Sequence, residues 1–81
     1  MNLVEKEKYL LKASYDFKDV MALAECKKTK AYEVMEACRK RYRGSIPGRP
    51  GAITARSYWE YQGTTIEQEI RLLRMLKGEV R

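Results

Sequence analysis

The residues best suited to chemistry are cations gathered in the middle of the sequence. Lys27, Lys28, Thr29 and Lys30 are consecutive, and Tyr32 follows close behind. Arg39, Lys40, Arg41 and Arg43 form a second group, and Arg49 and Arg56 stand further on. From Lys27 to Arg56 there are nine bases and two acids, Glu33 and Glu36, a surplus of seven positive charges. The rest of the chain has eight bases and nine acids, so the net charge of +6 comes entirely from this stretch. Charge concentrated in this way suits a polyanion, with nucleic acid first and an acidic membrane surface second.

Catalysis has few candidate groups. There is no histidine, and the two cysteines, Cys26 and Cys38, do not form a C-x-x-C pair. A thiol without an imidazole lacks its usual activator, and a zinc site needs more ligands than these. Both cysteines therefore read as small hydrophobes with reduced thiols. No paired-carboxylate frame and no phosphate-binding loop is recognisable. The expectation is a chain that is not an enzyme, with no cofactor and no metal. No apolar run approaches the roughly 18 residues of a membrane span, and nothing reads as a signal peptide. A cytoplasmic location is expected.

The 81 residues suffice for one small domain. Asp16 is a good helix cap, and Phe17, Val20, Met21 and Ala24 fall on one helical face, predicting a helix over residues 16–25. A second helix is expected over roughly 28–42. Ala31, Val34, Met35, Cys38 and Tyr42 lie on its inner face, and Thr29, Glu33, Glu36 and Lys40 on its outer one. Arg43 and Gly44 close it, with the glycine expected just past the end.

Residues 45–53 contain both prolines and two of the five glycines. Pro47-Gly48 and Pro50-Gly51 are turn signals, predicting a short two-stranded hairpin with Arg49 at its tip. Tyr58, Trp59 and Tyr61 fall in a short helix over 55–62, read as a lid on the core, with the Tyr58 and Tyr61 hydroxyls as further phosphate donors. Gly63 ends it. Thr64 and Glu67 have capping-box spacing and open a last helix to about Lys77. Its stripe, Ile66, Ile70, Leu73 and Leu76, fits internal packing or a dimer seam equally well. Residues 1–14 form a charged leader with weak periodicity, for which disorder and a packing arm stand equal.

A short helix pair joined by a tight turn exposes the amino end of its second helix, where unpaired N–H groups and the helix dipole favour phosphate. Side chains there reach base edges in a major groove. Here that end is Lys27 to Lys30. Lys40, Arg41 and Arg43 suit the helix carboxyl end and backbone contact. An arginine on a hairpin beside such a helix suits the backbone or the minor groove.

The run Tyr15-Asp16-Phe17-Lys18-Asp19-Val20, then Leu23, then Cys26-Lys27-Lys28-Thr29-Lys30-Ala31-Tyr32, resembles the excisionase-type helix-turn-helix of phages and mobile elements. Ile53-Thr54, Arg56 and Tyr58-Trp59 are similar to that family's segment after the wing. The resemblance spans about residues 15–62 and implies a mainly α fold with a small β-hairpin, a winged helix-turn-helix. It implies that Lys28, Thr29, Lys30 and Tyr32 face the major groove and that Arg49 rides the wing. It also implies a recombination directionality factor or small transcriptional regulator in a bacterial host cell. Such a protein would act on double-stranded DNA, with an integrase or recombinase as partner and a homodimer or cooperative oligomer on the duplex. Lys27 departs from the pattern, since it stands where the family often has Ser or Thr. A lysine cannot accept the cap bond, which leaves open a shifted start with Thr29 as cap. The resulting organisation is a leader over 1–14, a DNA-binding unit over 15–62 and a carboxyl-terminal amphipathic helix over 63–81. The competing reading is a protein-binding regulator, an anti-repressor or integrase partner, acting through that last helix.

Overall fold

The computed structural model describes residues 2–78; residues 79–81 of the expected carboxyl-terminal unit lie outside them. Five helices and a two-stranded antiparallel sheet are formed among the described residues. The leader is a helix, α1 (Leu3–Leu11), started by Asn2, whose side chain accepts from the Glu5 N–H at 2.9 Å. Only Leu10 on α1 is buried, which explains the weak apolar period. Tyr9 packs partly on the core, and ion pairs hold the rest: Lys6 pairs with Glu69 at 2.9 Å and Glu7 with Lys77 at 3.0 Å.

Strand β1 (Ser14–Asp16) follows, then α2 (Phe17–Ala24). Asp16 caps α2 as expected. It accepts from the Asp19 N–H at 3.0 Å, and Asp19 accepts in return from the Asp16 N–H at 3.1 Å. This reciprocal box satisfies donors that a helix start otherwise leaves open. Glu25, in the left-handed region at φ 50°, ends α2.

Helix α3 (Lys28–Tyr42) has the expected limits. Ala31, Val34, Met35 and Cys38 are buried on its inner face, and Tyr42 is half-buried. Its exit differs from the expectation. The left-handed residue is Arg43, at φ 54°, and Gly44 does not have positive φ. Gly44 is needed for close approach instead, because a Cβ there would lie 2.5 Å from Ser57 Oγ and 3.2 Å from the Cys38 carbonyl carbon.

The expected hairpin within 45–53 is corrected. Strand β2 (Ala52–Thr54) pairs with β1, in the register Ser14 to Thr54, Tyr15 to Ile53 and Asp16 to Ala52. Residues 45–53 close on themselves through a single bridge, Ser45 to Ile53, flanked by the Thr54 N–H donating to the Gly44 carbonyl at 2.9 Å. Between these points two turns run in series: the Arg49 N–H donates to the Ile46 carbonyl and the Ala52 N–H to the Arg49 carbonyl. Two prolines in so short a loop remove the donors that a longer ladder needs. The backbone of β1 supplies the partner for β2.

Helix α4 (Ala55–Tyr61) is capped by Thr54, and α5 (Ile66–Leu76) by Thr65, which accepts from the Gln68 N–H at 3.1 Å. The expected cap, Thr64, is displaced by one residue. Its N–H is held by the Trp59 carbonyl in the exit from α4, so the next threonine takes the role. The core lies where β1, α2, α3 and α4 meet. Tyr15, fully buried, donates to the Tyr9 carbonyl at 2.6 Å and accepts from Trp59 Nε1 at 2.9 Å. Tyr58 and Trp59 are buried against it, with the Tyr15 and Tyr58 rings edge-on at 5.7 Å. On α5 Leu73 is buried and Ile66 and Ile70 pack on the core, but Leu76 is 61% exposed and leaves the expected stripe.

Candidate nucleic-acid interface

Helices α2 and α3 pack through a three-residue turn, Glu25 to Lys27. Its tightness comes from the left-handed Glu25 and from the Cys26 N–H reaching back to the Met21 carbonyl at 3.1 Å. Lys27 is the cap residue of α3 and makes no side-chain cap bond. The shifted start capped by Thr29 is therefore overturned: α3 begins at Lys28, held by its packed face. Asn2, Asp16, Thr54 and Thr65 each accept a backbone hydrogen bond at the starts of the other four helices described. The first turn of α3 has no such acceptor and no acid, and Lys27, Lys28, Thr29 and Lys30 are all exposed there.

Tyr32 is 46% exposed and stacks on Phe17 of α2, with ring centres 5.5 Å apart and planes 26° apart. The Lys28 ammonium lies 5.3 Å from the Phe17 ring centre and 5.9 Å from that of Tyr32. A cation held over aromatic faces is positioned without being neutralised. In the sequence Phe17 is legible only as a core residue, yet it fixes two of the expected contact residues.

The outer face of α3 is a shallow open surface formed by Thr29, Tyr32, Glu33, Glu36, Ala37, Lys40 and Arg41. Lys30 pairs with Glu33 at 3.7 Å, and Glu36 with Lys40 at 3.5 Å and Arg39 at 3.7 Å. Exposed pairs of this length contribute little, roughly 0–1 kcal/mol. At the carboxyl end Arg41 and Arg43 are exposed.

Arg49 is exposed in the loop between Ser45 and Ala52, and its Nη1 donates to Ser14 Oγ at 2.9 Å. Arg39, on α3, donates through Nη2 to the Pro50 carbonyl at 2.7 Å. The loop is thus tied to α3 by one arginine and to β1 by the other. Sequence reasoning missed both Ser14 and the tethering role of Arg39. The only signal was a cation on the helix preceding a Pro/Gly loop. Arg56 stands apart from this group: it pairs with Glu67 of α5 at 3.2 Å. The Glu67 carboxyl is held below its ordinary range by its own backbone N–H first and then by Arg56.

The Tyr58 hydroxyl is not available to phosphate, being buried and accepting from Gln62 Nε2 at 3.1 Å. Tyr61 is half-buried, its ring edge-on to Tyr42 at 6.4 Å. Cys38 is buried, and that burial pushes its thiol up to about 11, far from a reactive thiolate. No described helix is long and apolar enough to cross a membrane. No protein-family model, curated protein or solved structure matches the chain.

Proposed function

We infer that the chain binds double-stranded DNA as a winged helix-turn-helix, with α3 in the major groove and the 45–51 loop as the wing. The supporting observation is the outer surface of α3. Its uncapped amino end carries Lys27, Lys28 and Lys30, its carboxyl end carries Lys40, Arg41 and Arg43, and all six are exposed. A 15-residue helix is about 22 Å long. A helix that lies in a major groove about 12 Å wide can present cations at both of its ends to the flanking phosphate backbones. Lys28, Thr29, Lys30 and Tyr32 belong to the base-facing end and Arg49 to the wing. The biological role that fits is a recombination directionality factor, an excisionase, or a small transcriptional regulator working beside an integrase.

The test is fluorescence anisotropy of a labelled duplex across a salt series. If Lys27, Lys40, Arg41, Arg43 and Arg49 each meet one phosphate, log K against log salt falls with a slope of about −4.5. A flat response refutes this reading.

A second reading is favoured by α5. Leu72, Met75 and Leu76 are 43%, 57% and 61% exposed on consecutive turns, an apolar edge suited to a protein partner. In that reading the chain is an anti-repressor or integrase partner. Loss of DNA binding by the intact chain, with retained capture of a recombinase that depends on Leu76, would favour it.

A further inference from the structure

The DNA-binding reading accounts for the cations on α3 but not for the two carboxylates among them. An exposed carboxylate facing a duplex weakens binding to every sequence unless it accepts a hydrogen bond there. Glu36 has a structural role: it faces both Lys40 and Arg39, and Arg39 in turn holds the Pro50 carbonyl. Glu33 has no such task. Its side chain is 66% exposed, and its one ion pair, with Lys30 at 3.7 Å, has a partner 62% exposed. It lies one helical turn beyond Thr29, on the same open face of α3 as Ala37. The buried face, Ala31, Val34 and Met35, is turned the other way.

We propose that Glu33 is a specificity-determining residue that selects cytosine at one position of the DNA site. This rests on the reading that α3 enters the major groove. The residues that reach base edges come from the amino-terminal part of such a helix, and Glu33 is the sixth residue of α3, which begins at Lys28. In the major groove the only hydrogen donors on bases are the amino groups of cytosine (N4) and adenine (N6). Adenine presents the N7 lone pair beside its amino group, which repels the second carboxylate oxygen. Cytosine presents only carbon there. A carboxylate therefore prefers cytosine and is repelled by the O4 of thymine and by the O6 and N7 of guanine. Docking exchanges the weak Lys30 contact for this bond.

The test uses the full chain, E33Q and E33A. Preferred sites are selected from a randomised duplex pool. Affinity is then measured on the selected site and on one with the cytosine pair replaced by a thymine pair. The unaltered protein loses about five- to hundredfold in affinity on that replacement. E33Q, whose amide both donates and accepts, binds the two sites within about twofold. E33A also loses the preference, while its binding to unrelated DNA holds or rises. Circular dichroism checks that both variants fold. Variants that keep the original preference at every position, gaining affinity equally on all sequences, overturn the proposal and leave the DNA-binding reading standing. Absence of DNA binding by the unaltered protein overturns both.

Discussion

Replacing Arg43 by glycine should make the protein more stable and a poorer DNA binder, two effects of opposite sign from one residue. Arg43 ends α3 at φ 54° and ψ 44°, near the centre of the left-handed region, where an L-residue with a Cβ is disfavoured by roughly 1–2 kcal/mol. Glycine removes that cost but gives the unfolded chain more freedom, which offsets roughly 0.5–1 kcal/mol. The terminal bond from the Arg43 N–H to the Cys38 carbonyl is made by the backbone and survives the change. Among the described residues the Arg43 side chain makes no hydrogen bond or ion pair that would be lost. The net gain is about 0.5–1 kcal/mol, which for a domain of this size raises Tm by roughly 2–8 °C. On DNA the variant lacks one of about five phosphate contacts. Its salt slope therefore moves from about −4.5 to about −3.6, and its affinity falls by roughly 1 kcal/mol, near fivefold. Thermal denaturation and anisotropy across a salt series read the two halves separately. A lower Tm would refute the backbone argument. An unchanged slope would remove Arg43 from the interface.

Four further outcomes are expected. Lys27→Ser adds the missing cap acceptor to α3, so denaturant unfolding should show about 1 kcal/mol more stability, while the salt slope shrinks by about 0.9. Arg49→Ala should weaken binding by roughly 1 kcal/mol with Tm little changed, since the Ser14 contact it loses is exposed; unchanged affinity in gel shift means that the loop does not touch DNA. Tyr15→Phe strands the buried Trp59 N–H and removes the donor to the Tyr9 carbonyl, a loss of about 2–4 kcal/mol in urea unfolding followed by tryptophan fluorescence; a loss under about 0.5 kcal/mol would refute the account of the core. Burial pushes Tyr15 and Tyr58 up to about 12, above the unfolded value near 10. The fold therefore retains protons that the unfolded chain releases; the contribution of these two tyrosines is constant below about pH 10 and is lost as pH rises towards 12, in step with late tyrosinate absorbance.

What the sequence revealed and what it hid divide along the range of the interactions. The limits of α2 and α3 follow from local signals: the Asp16 and Asp19 box, and an apolar face that repeats every turn from Ala31 to Cys38. The pairing of β1 with β2 joins Ser14–Asp16 to Ala52–Thr54, too far apart in sequence and too short to show alternation. The leader helix gives almost no period because only Leu10 is buried in it. At the start of α5 two adjacent threonines offer the same cap chemistry, and a tertiary bond from the Thr64 N–H to Trp59 chooses between them. The candidate site divides in the same way. Lys27 to Lys30 and the Arg41–Arg43 end are legible as exposed cations. The Arg49 tether to Ser14, the Phe17 platform under Tyr32 and the diversion of Arg56 to Glu67 depend on residues brought together only by folding.

The two ends of α3 share an energetic feature that bears on function. Each has a residue that a helix optimised for stability would not choose: Lys27 in place of a capping acceptor, and Arg43 in the left-handed position where glycine is free of strain. Together these choices cost roughly 1.5–2 kcal/mol, a sizeable fraction of the stability of a small domain. The helix persists because Ala31, Val34, Met35 and Cys38 are at most 3% exposed. Burying Val34 and Met35 alone contributes roughly 3–6 kcal/mol, enough to offset both ends. A purely structural α3 would be served better by a serine in place of Lys27 and a glycine in place of Arg43, and neither substitution would disturb the packed face. Both suboptimal residues are exposed cations at opposite ends of one helix. That placement is consistent with the proposed phosphate contacts, and natural domains tolerate such departures from the stability optimum when the packed face offsets them.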